Sequence, residues 1–286
     1  MIQLHLARWH WTLDVDPSAL AASLADRYAP FMCPADGASA HTDAPADLRA
    51  DLHVDLRIDL AATPEGVNDG LPATKIALLG DRYLLDGPQF RGMIHLSGRR
   101  AELSFRGAQP AWAIEYFLRV VAAVVAYHNG GLLVHCAALK AGDATFLLVG
   151  QSGSGKSTAV ALSHAAGKAV ALGDDLVLLR PEGDGWRAYG TPFWNIETVE
   201  RGGQTSSGLV TGIYKLIKDD AIFAEPMGLA AATAELLANA PVANDLPALS
   251  EGLIGRCRSI VRCTGMQRLH FRKDAGFWSV LAGSRA

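Results

Sequence analysis

The sequence predicts an α/β chain in two parts, a smaller β-rich α+β N-terminal domain over residues 1–110 and a larger α/β domain over residues 111–286. Three observations carry this expectation. Leu52, Val54, Leu56, Ile58 and Leu60 alternate with His53, Asp55, Arg57 and Asp59, the period-two pattern of a strand with one wet face. Further on, the run Thr145 to Val149, apolar from Phe146, leads directly into a glycine-rich loop and then a helix-forming segment. A second short apolar run, Ala169 to Leu172, ends on Gly173-Asp174-Asp175. Half of the 286 residues are hydrophobic and 19% are charged, which supplies a packed core and excludes a disordered chain.

The elements follow in order. Pro17 to Tyr28 reads as a helix, with Leu20, Leu24 and Tyr28 four apart. Cys33 to Ala46 is rich in Ala, Asp, Gly and Pro and reads as loop. Met93 to Ser97 and Ala101 to Arg106 alternate around Gly98-Arg99-Arg100 and predict a hairpin. Pro110 precedes an apolar helix from Ala111 to His128, stopped by Asn129-Gly130-Gly131. Glu115 and Arg119 are spaced to pair on its exposed side. A helix this apolar is expected to be buried between the two halves of the chain, and the boundary is set just before it. Leu132 to Leu139 and Thr145 to Val149 then read as strands about an Ala141-Gly142-Asp143 turn, and Lys156 to Ala166 reads as a helix closed by Gly167. Ala169 to Leu172 is the next strand, and Leu176 to Leu179 with Trp186 to Tyr189 form a hairpin about Glu182-Gly183-Asp184-Gly185. Asn195 to Gly208 has the composition of a mobile polar loop. Val210 to Ile217 reads as a strand, Met227 to Ala240 and Ser250 to Arg262 as helices, and Gln267 to Arg272 as a last strand.

Composition narrows the function classes. A net charge of −3 advertises no polyanion-binding surface, and no basic stretch is interleaved with aromatics, so no nucleic-acid partner is expected. Four Cys without a CxxC pair argue against a disulfide scaffold or zinc ribbon, and the His residues lack metal-ligand spacing. Cys257 and Cys263 read as packed thiols. Met1 to Leu13 has no continuous apolar region of a signal peptide, and Trp112 to Tyr127 is interrupted by Glu115 and Arg119. The expectation is a cytoplasmic protein with no membrane partner. The sequence sets no oligomeric state.

Gly150-Gln151-Ser152-Gly153-Ser154-Gly155-Lys156-Ser157-Thr158 fits G-x-x-x-x-G-K-[ST] between a strand and a helix. Glycines let the backbone fold so that its N–H groups point inward at phosphate oxygens, and the helix that starts there adds its positive dipole end. Gly150, Ser152, Gly153, Ser154, Gly155, Lys156, Ser157 and Thr158 are therefore the candidate nucleotide-binding residues, with Lys156 for the β- and γ-phosphates and the Ser157 hydroxyl for Mg²⁺. Asp174 and Asp175 end an apolar strand one helix and one strand later. Adjacent carboxylates there can divide the work, one on the metal and one accepting a proton from an attacking hydroxyl. His135 stands in an apolar strand fifteen residues before Gly150; by itself such a His is more often a hydrogen-bonded core residue.

Together, Val134-His135, the loop from Gly150 to Ser157 and Gly173-Asp174-Asp175 resemble the catalytic core of the HPr serine kinase/phosphorylase family. The resemblance spans about residues 130 to 205. It implies a P-loop kinase core of the HPr kinase/phosphoenolpyruvate carboxykinase type, with ATP and Mg²⁺ as cofactors. It also implies that His135 and one of Asp174 or Asp175 assist proton transfer at a serine hydroxyl, and that Arg201 helps spread transition-state charge. The family's Glu-x-Arg-Gly-x-Gly motif is matched only loosely by Glu200-Arg201-Gly202-Gly203, which lacks the residue between Glu and Arg. Ser157, Asp175 and Glu200 are the candidate metal positions, with Glu197 an alternative to Glu200 and the two aspartates' roles left open. The layout further resembles the shorter HPr-kinase-related proteins of lasso-peptide pathways, which phosphorylate a precursor peptide. The expected function is thus transfer of the ATP γ-phosphate to a serine-type hydroxyl of a peptide or protein. The alternatives are a small-molecule kinase on the same fold, a non-kinase P-loop ATPase, and a nucleotide-sensing module.

Overall fold

In the computed structural model, the described residues are 1–16, 18–32, 51–58, 75–87, 90–95, 100–105, 110–193, 206–241 and 250–283. The loop expected at 33–46, the turn residues Gly98 and Arg99, and Glu197, Glu200 and Arg201 lie outside them. The chain separates into two compact units, Met1–His128 and Asn129–Ala286.

In the first unit, alternating burial builds a seven-stranded sheet. β1 (Ile2–Leu6) and β2 (Trp9–Asp16) form a hairpin whose two-residue turn, Ala7-Arg8, has positive φ at both positions, the twist-matched turn for antiparallel strands. Trp9, Trp11 and Leu13 are buried on one face of β2. α1 (Ser18–Arg27) and a short 3-10 turn (Ala29–Phe31) follow. β3 (Asp51–Ile58) is the strand that the alternation predicts, and it runs parallel to β2. β4 (Lys75–Leu79), β5 (Arg82–Asp86), β6 (Phe90–His95) and β7 (Arg100–Phe105) complete the order β1-β2-β3-β7-β6-β5-β4, with β6 and β7 antiparallel as expected.

α2 (Pro110–His128) is the apolar helix of the sequence, and it packs on β6 and β7. Gly92 on β6 is required by this packing, since a Cβ there would lie 2.6 Å from the Phe117 ring. α2 therefore groups with the first unit, whereas the sequence reading places it at the head of the second. Arg119 bonds Glu115 at 2.7 Å as its spacing predicts, but Arg27 of α1 joins the same carboxylate and the group is half-buried rather than exposed.

The second unit is built on an eight-stranded sheet. Its strands are β8 (Leu132–Ala141), β9 (Ala144–Val149), β10 (Val170–Gly173), β11 (Leu176–Glu182), β12 (Gly185–Tyr189), β13 (Ser207–Lys218), β14 (Phe223–Pro226) and β15 (Gln267–Phe271). β9, β13 and β15 are parallel neighbours, while β8 runs antiparallel to β9 and β14 antiparallel to β15. β11 and β12 bridge the first half of β8 to the start of β13, so pairing closes the circuit β8–β11–β12–β13–β9–β8.

The helices are α3 (Lys156–Ala165), α4 (Leu229–Ala238), α5 (Ser250–Thr264) and α6 (Phe277–Gly283). One core cluster joins α3, α6 and the sheet: Phe146 meets Tyr214 and Trp278 edge-on, at centroid distances of 6.1 and 5.9 Å. Trp278 Nε1 donates to the buried Ser163 Oγ at 3.0 Å, which ties α6 to α3. Cys257 is buried on α5 but Cys263 is exposed, because their spacing of six residues puts them on different sides of one helix. No helix among the described residues is long and apolar enough to cross a membrane.

Phe146→Ala is expected to destabilise the second unit by about 3–5 kcal/mol. The exposed Leu209→Ala should stay within about 0.5 kcal/mol. Urea unfolding midpoints of the two variants provide the comparison.

Candidate functional site

Residues 150–155 join the carboxyl end of β9 to the first turn of α3. Gly150, Gly153 and Gly155 have φ of 145°, 77° and 107°, where a side chain is strained. At two of them space is also denied. A Cβ on Gly155 would lie 2.8 Å from the Phe271 ring, and one on Gly150 would lie 2.7 Å from Ser154 Oγ. The motif's glycines thus meet a steric demand of this loop.

Lys156 is only 7% exposed, and its Nζ donates to the carbonyl oxygens of Gly150 at 2.6 Å and Gln151 at 3.3 Å. Burial pushes its amine below the ordinary lysine value, partly offset by the Asp175 carboxylate. Cys136 itself is held far above the thiol range by complete burial, so no thiolate forms there.

The acidic pair and the histidine converge on the same loop. β8 and β11 pair with His135 opposite Leu176, and Cys136 N–H donates to the Asp175 carbonyl at 3.0 Å. That register sets the two side chains together, with His135 Nε2 3.3 Å from Asp175 Oδ1. His135 is the one half-exposed residue in the first eight of an otherwise buried strand. Asp174, its neighbour in the chain, is 4% exposed. Gly173 leaves no slack before the pair, as a Cβ would lie 3.2 Å from the Leu176 carbonyl oxygen.

His135, Ser152, Gly153, Gly155, Lys156, Ser157, Thr158, Asp174 and Asp175 line one cavity of about 240 Å³. Gly150 and Ser154 belong to the same loop behind it. Arg201 and Glu200 lie outside the described residues. Two further residues were not legible in the sequence. Lys218, at the carboxyl end of β13, lines the cavity because β13 is parallel to β9. Asn239, at the end of α4, accepts the His135 N–H on its carbonyl oxygen at 2.7 Å and fixes the strand that carries the imidazole.

The arrangement suits a phosphate ester beside a hydroxyl. The positive end of α3 and the buried Lys156 ammonium stand on the phosphate side, and Ser154 Oγ in the same loop is buried without a hydrogen-bond partner. Among the described residues no three His, Cys, Asp or Glu cluster as a metal site. The donors that remain, a Ser157 hydroxyl and one or two carboxylates, match the sparse protein ligation of Mg²⁺, which takes most of its shell from water and phosphate oxygens.

No protein-family model matches the chain, and no curated protein matches it in sequence. Among solved structures the chain is similar to the HPr(Ser) kinase/phosphatase from Coxiella burnetii. The identity is 12% and the TM-score 0.31, over 54% of this chain and 95% of that one. At this identity and TM-score the likeness assigns neither an activity nor a substrate.

Gly155→Ala is expected to cost about 1–3 kcal/mol of stability, because the added methyl meets Phe271. Gly142→Ala, with φ of 61° and open space, should cost only about 1 kcal/mol. Thermal melts of both variants test the difference. The lysine gives a pH signature. Its folded value lies below the ordinary 10.5, so between the two values the unfolded chain binds a proton that the folded chain lacks. Wild-type stability relative to Lys156→Met is therefore expected to rise with pH up to about 10.5. A stability difference that stays flat in urea titrations across that window would contradict the buried-lysine geometry.

Proposed function

We propose that this protein is an ATP- and Mg²⁺-dependent kinase that phosphorylates a serine-type hydroxyl of a peptide or protein. The observation that carries the reading is the His135–Asp175 contact, Nε2 to Oδ1 at 3.3 Å, opening on the cavity lined by Lys156 and Ser157. A phosphate-binding loop alone fits any nucleotide hydrolase. A carboxylate and imidazole in contact beside it supply what a transferase needs in addition, a base for the acceptor hydroxyl.

In this reading the loop amides and Lys156 bind the β- and γ-phosphates and hold charge as it develops on the transferring group. The acceptor oxygen attacks the γ-phosphorus in line. Its proton passes to the Asp175–His135 pair, and ADP leaves. Bound Mg²⁺ would neutralise phosphate charge from a position reached by Ser157 and the Asp174–Asp175 pair. Glu200 and Arg201 are proposed to complete the metal and transition-state contacts. A cavity of about 240 Å³ has room for a phosphoryl group and an acceptor side chain, with little left for bulk water. The precursor of a ribosomal peptide natural product is the acceptor suggested by the chain's layout. A cytoplasmic location fits this chemistry, since ATP is abundant there.

Incubation with γ-labelled ATP and serine-containing peptides, protein acceptors or free serine tests the reading. Label in a peptide or protein is the expected result. Transfer to free serine alone would move the assignment to a small-molecule kinase, and rapid hydrolysis with no acceptor would move it to an ATPase. Lys156→Ala should retain the fold and lose at least about 10²-fold in transfer rate, the usual cost of one preorganised electrostatic contact. Near wild-type transfer by that variant would remove the loop from the mechanism.

A further inference from the structure

A second cavity, of about 780 Å³, adjoins the phosphate loop within the same unit. It is lined by Gly155 of the loop and Thr158 in the first turn of α3, by Lys218, Asp219 and Asp220 at and beyond the end of β13, and by Phe271, Arg272 and Lys273 at and beyond the end of β15. Its place follows from topology. β9, β13 and β15 are parallel, so the phosphate loop and these two charged segments all leave the carboxyl ends of adjacent strands. The carboxyl ends of parallel strands are where ligands commonly bind in α/β folds.

Gly155, Thr158 and Lys218 line both cavities. Lys156 and Ser157 line only the smaller one, together with His135, Asp174 and Asp175. In a loop of this type the lysine and the first hydroxyl residue attend the β- and γ-phosphates and the metal. The γ end therefore points into the smaller cavity, and the opposite end of the ligand leaves past Gly155 and Thr158 into the larger one. Volume agrees with this polarity, since about 780 Å³ lies within the range of sites that enclose a drug-sized molecule.

The side chains there differ in what they are free to do. Asp219 is committed, bonding His270 Nδ1 at 2.8 Å and the Ala221 N–H at 3.0 Å, and Arg272 is paired with Asp274. Asp220 lines the cavity and is exposed, one residue beyond the committed carboxylate. Lys218 and Lys273 are exposed cations in the same lining.

We propose that the larger cavity is the nucleoside subsite, and that it takes a ribonucleoside whose ribose hydroxyls are held by the Asp220 carboxylate. A carboxylate accepts hydrogen bonds from two hydroxyls at once, the chemistry by which acidic residues hold ribose elsewhere. Lys218 stands at the junction of the cavities, where it meets the phosphate chain rather than the base. The inference rests on the reading of the phosphate loop given above and adds direction and ligand class to it.

Isothermal titration with the non-hydrolysable ATP analogue AMP-PNP, its 2′-deoxy form and inorganic tripolyphosphate, each with Mg²⁺, tests it on the full chain. Wild type is expected to bind AMP-PNP at least about tenfold more tightly than tripolyphosphate, and more tightly than the deoxy form. Asp220→Ala should weaken AMP-PNP about tenfold and leave tripolyphosphate unchanged. Lys273→Ala, also exposed, should spare tripolyphosphate and serves as a second probe of the same cavity. Equal affinity for AMP-PNP and tripolyphosphate, or an Asp220→Ala variant that binds AMP-PNP as wild type does, would overturn the nucleoside subsite alone. Failure of the wild type to bind any of the three would overturn the phosphate-loop reading and this subsite with it.

Discussion

The parallel pairing of β9 with β13 and of β13 with β15 is the constraint on which the rest of the second unit depends. Parallel strands place like ends together, so three chain segments leave the sheet at one edge: residues 150–155, 218–220 and 271–273. No local property of those segments would bring them into contact. The register does so, with Lys215 opposite Val149 and Lys218 opposite Phe271. Once the ends are adjacent, the Phe271 ring lies under Gly155, and the steric demand for glycine follows. The antiparallel β8 then approaches β9 from the other side and brings His135 toward the same loop. The two cavities are two sides of one loop, and they differ because one is bordered by an antiparallel strand and the other by parallel ones.

Much of the second unit was legible in the sequence because its signals are local. The glycine spacing of 150–155, the apolar strand before it and the helix after it each stand in a contiguous stretch, and all appear where the pattern puts them. The convergence of His135 with Asp175 was not deducible from periodicity, since a half-exposed His on an apolar strand is by itself a core residue more often than a base. It came from resemblance, and the β8–β11 register supplies its physical cause. Lys218 and Asn239 escaped for the opposite reason. The strand at 210–217 and the helix at 227–240 were both read correctly as elements. Nothing in either stretch says that one is parallel to β9 or that the other ends against the backbone of His135. The same holds for α6, a seven-residue helix too short to show a period, which is held by its buried Phe277, Trp278 and Leu281 and by the Trp278–Ser163 hydrogen bond.

The first unit was legible in part, with α1, β3, β6, β7 and α2 standing where the pattern puts them. Alternation identified β3, β6 and β7, whereas β4 is exposed or half-exposed along its whole length, and β5, though its burial alternates, is five residues long with a leucine on each face. The Ala7-Arg8 turn gave no signal either, because turns with positive φ at both positions usually advertise themselves with Gly or Asn. Its hairpin is held by what flanks it, a row of large buried residues, Trp9, Trp11 and Leu13, which outweighs the cost of the turn.

Burial separates the two aspartates that the sequence left equivalent. Asp174 and Asp175 form the bend between β10 and β11 and meet different surroundings although both border the small cavity. Asp174 is almost fully enclosed. Asp175 remains in contact with water and with the half-exposed His135. A base must meet an arriving hydroxyl and then release the proton it has taken, so it needs both access and a partner that carries charge onward. Asp175 with His135 meets both conditions. A group that serves Mg²⁺ needs an oxygen held in place while water and phosphate oxygens complete the shell, and the enclosed Asp174 beside the cavity supplies one. On the proposed reaction the two carboxylates therefore take different roles through a difference in exposure imposed by Gly173, whose lack of a Cβ lets β10 turn into β11 within two residues.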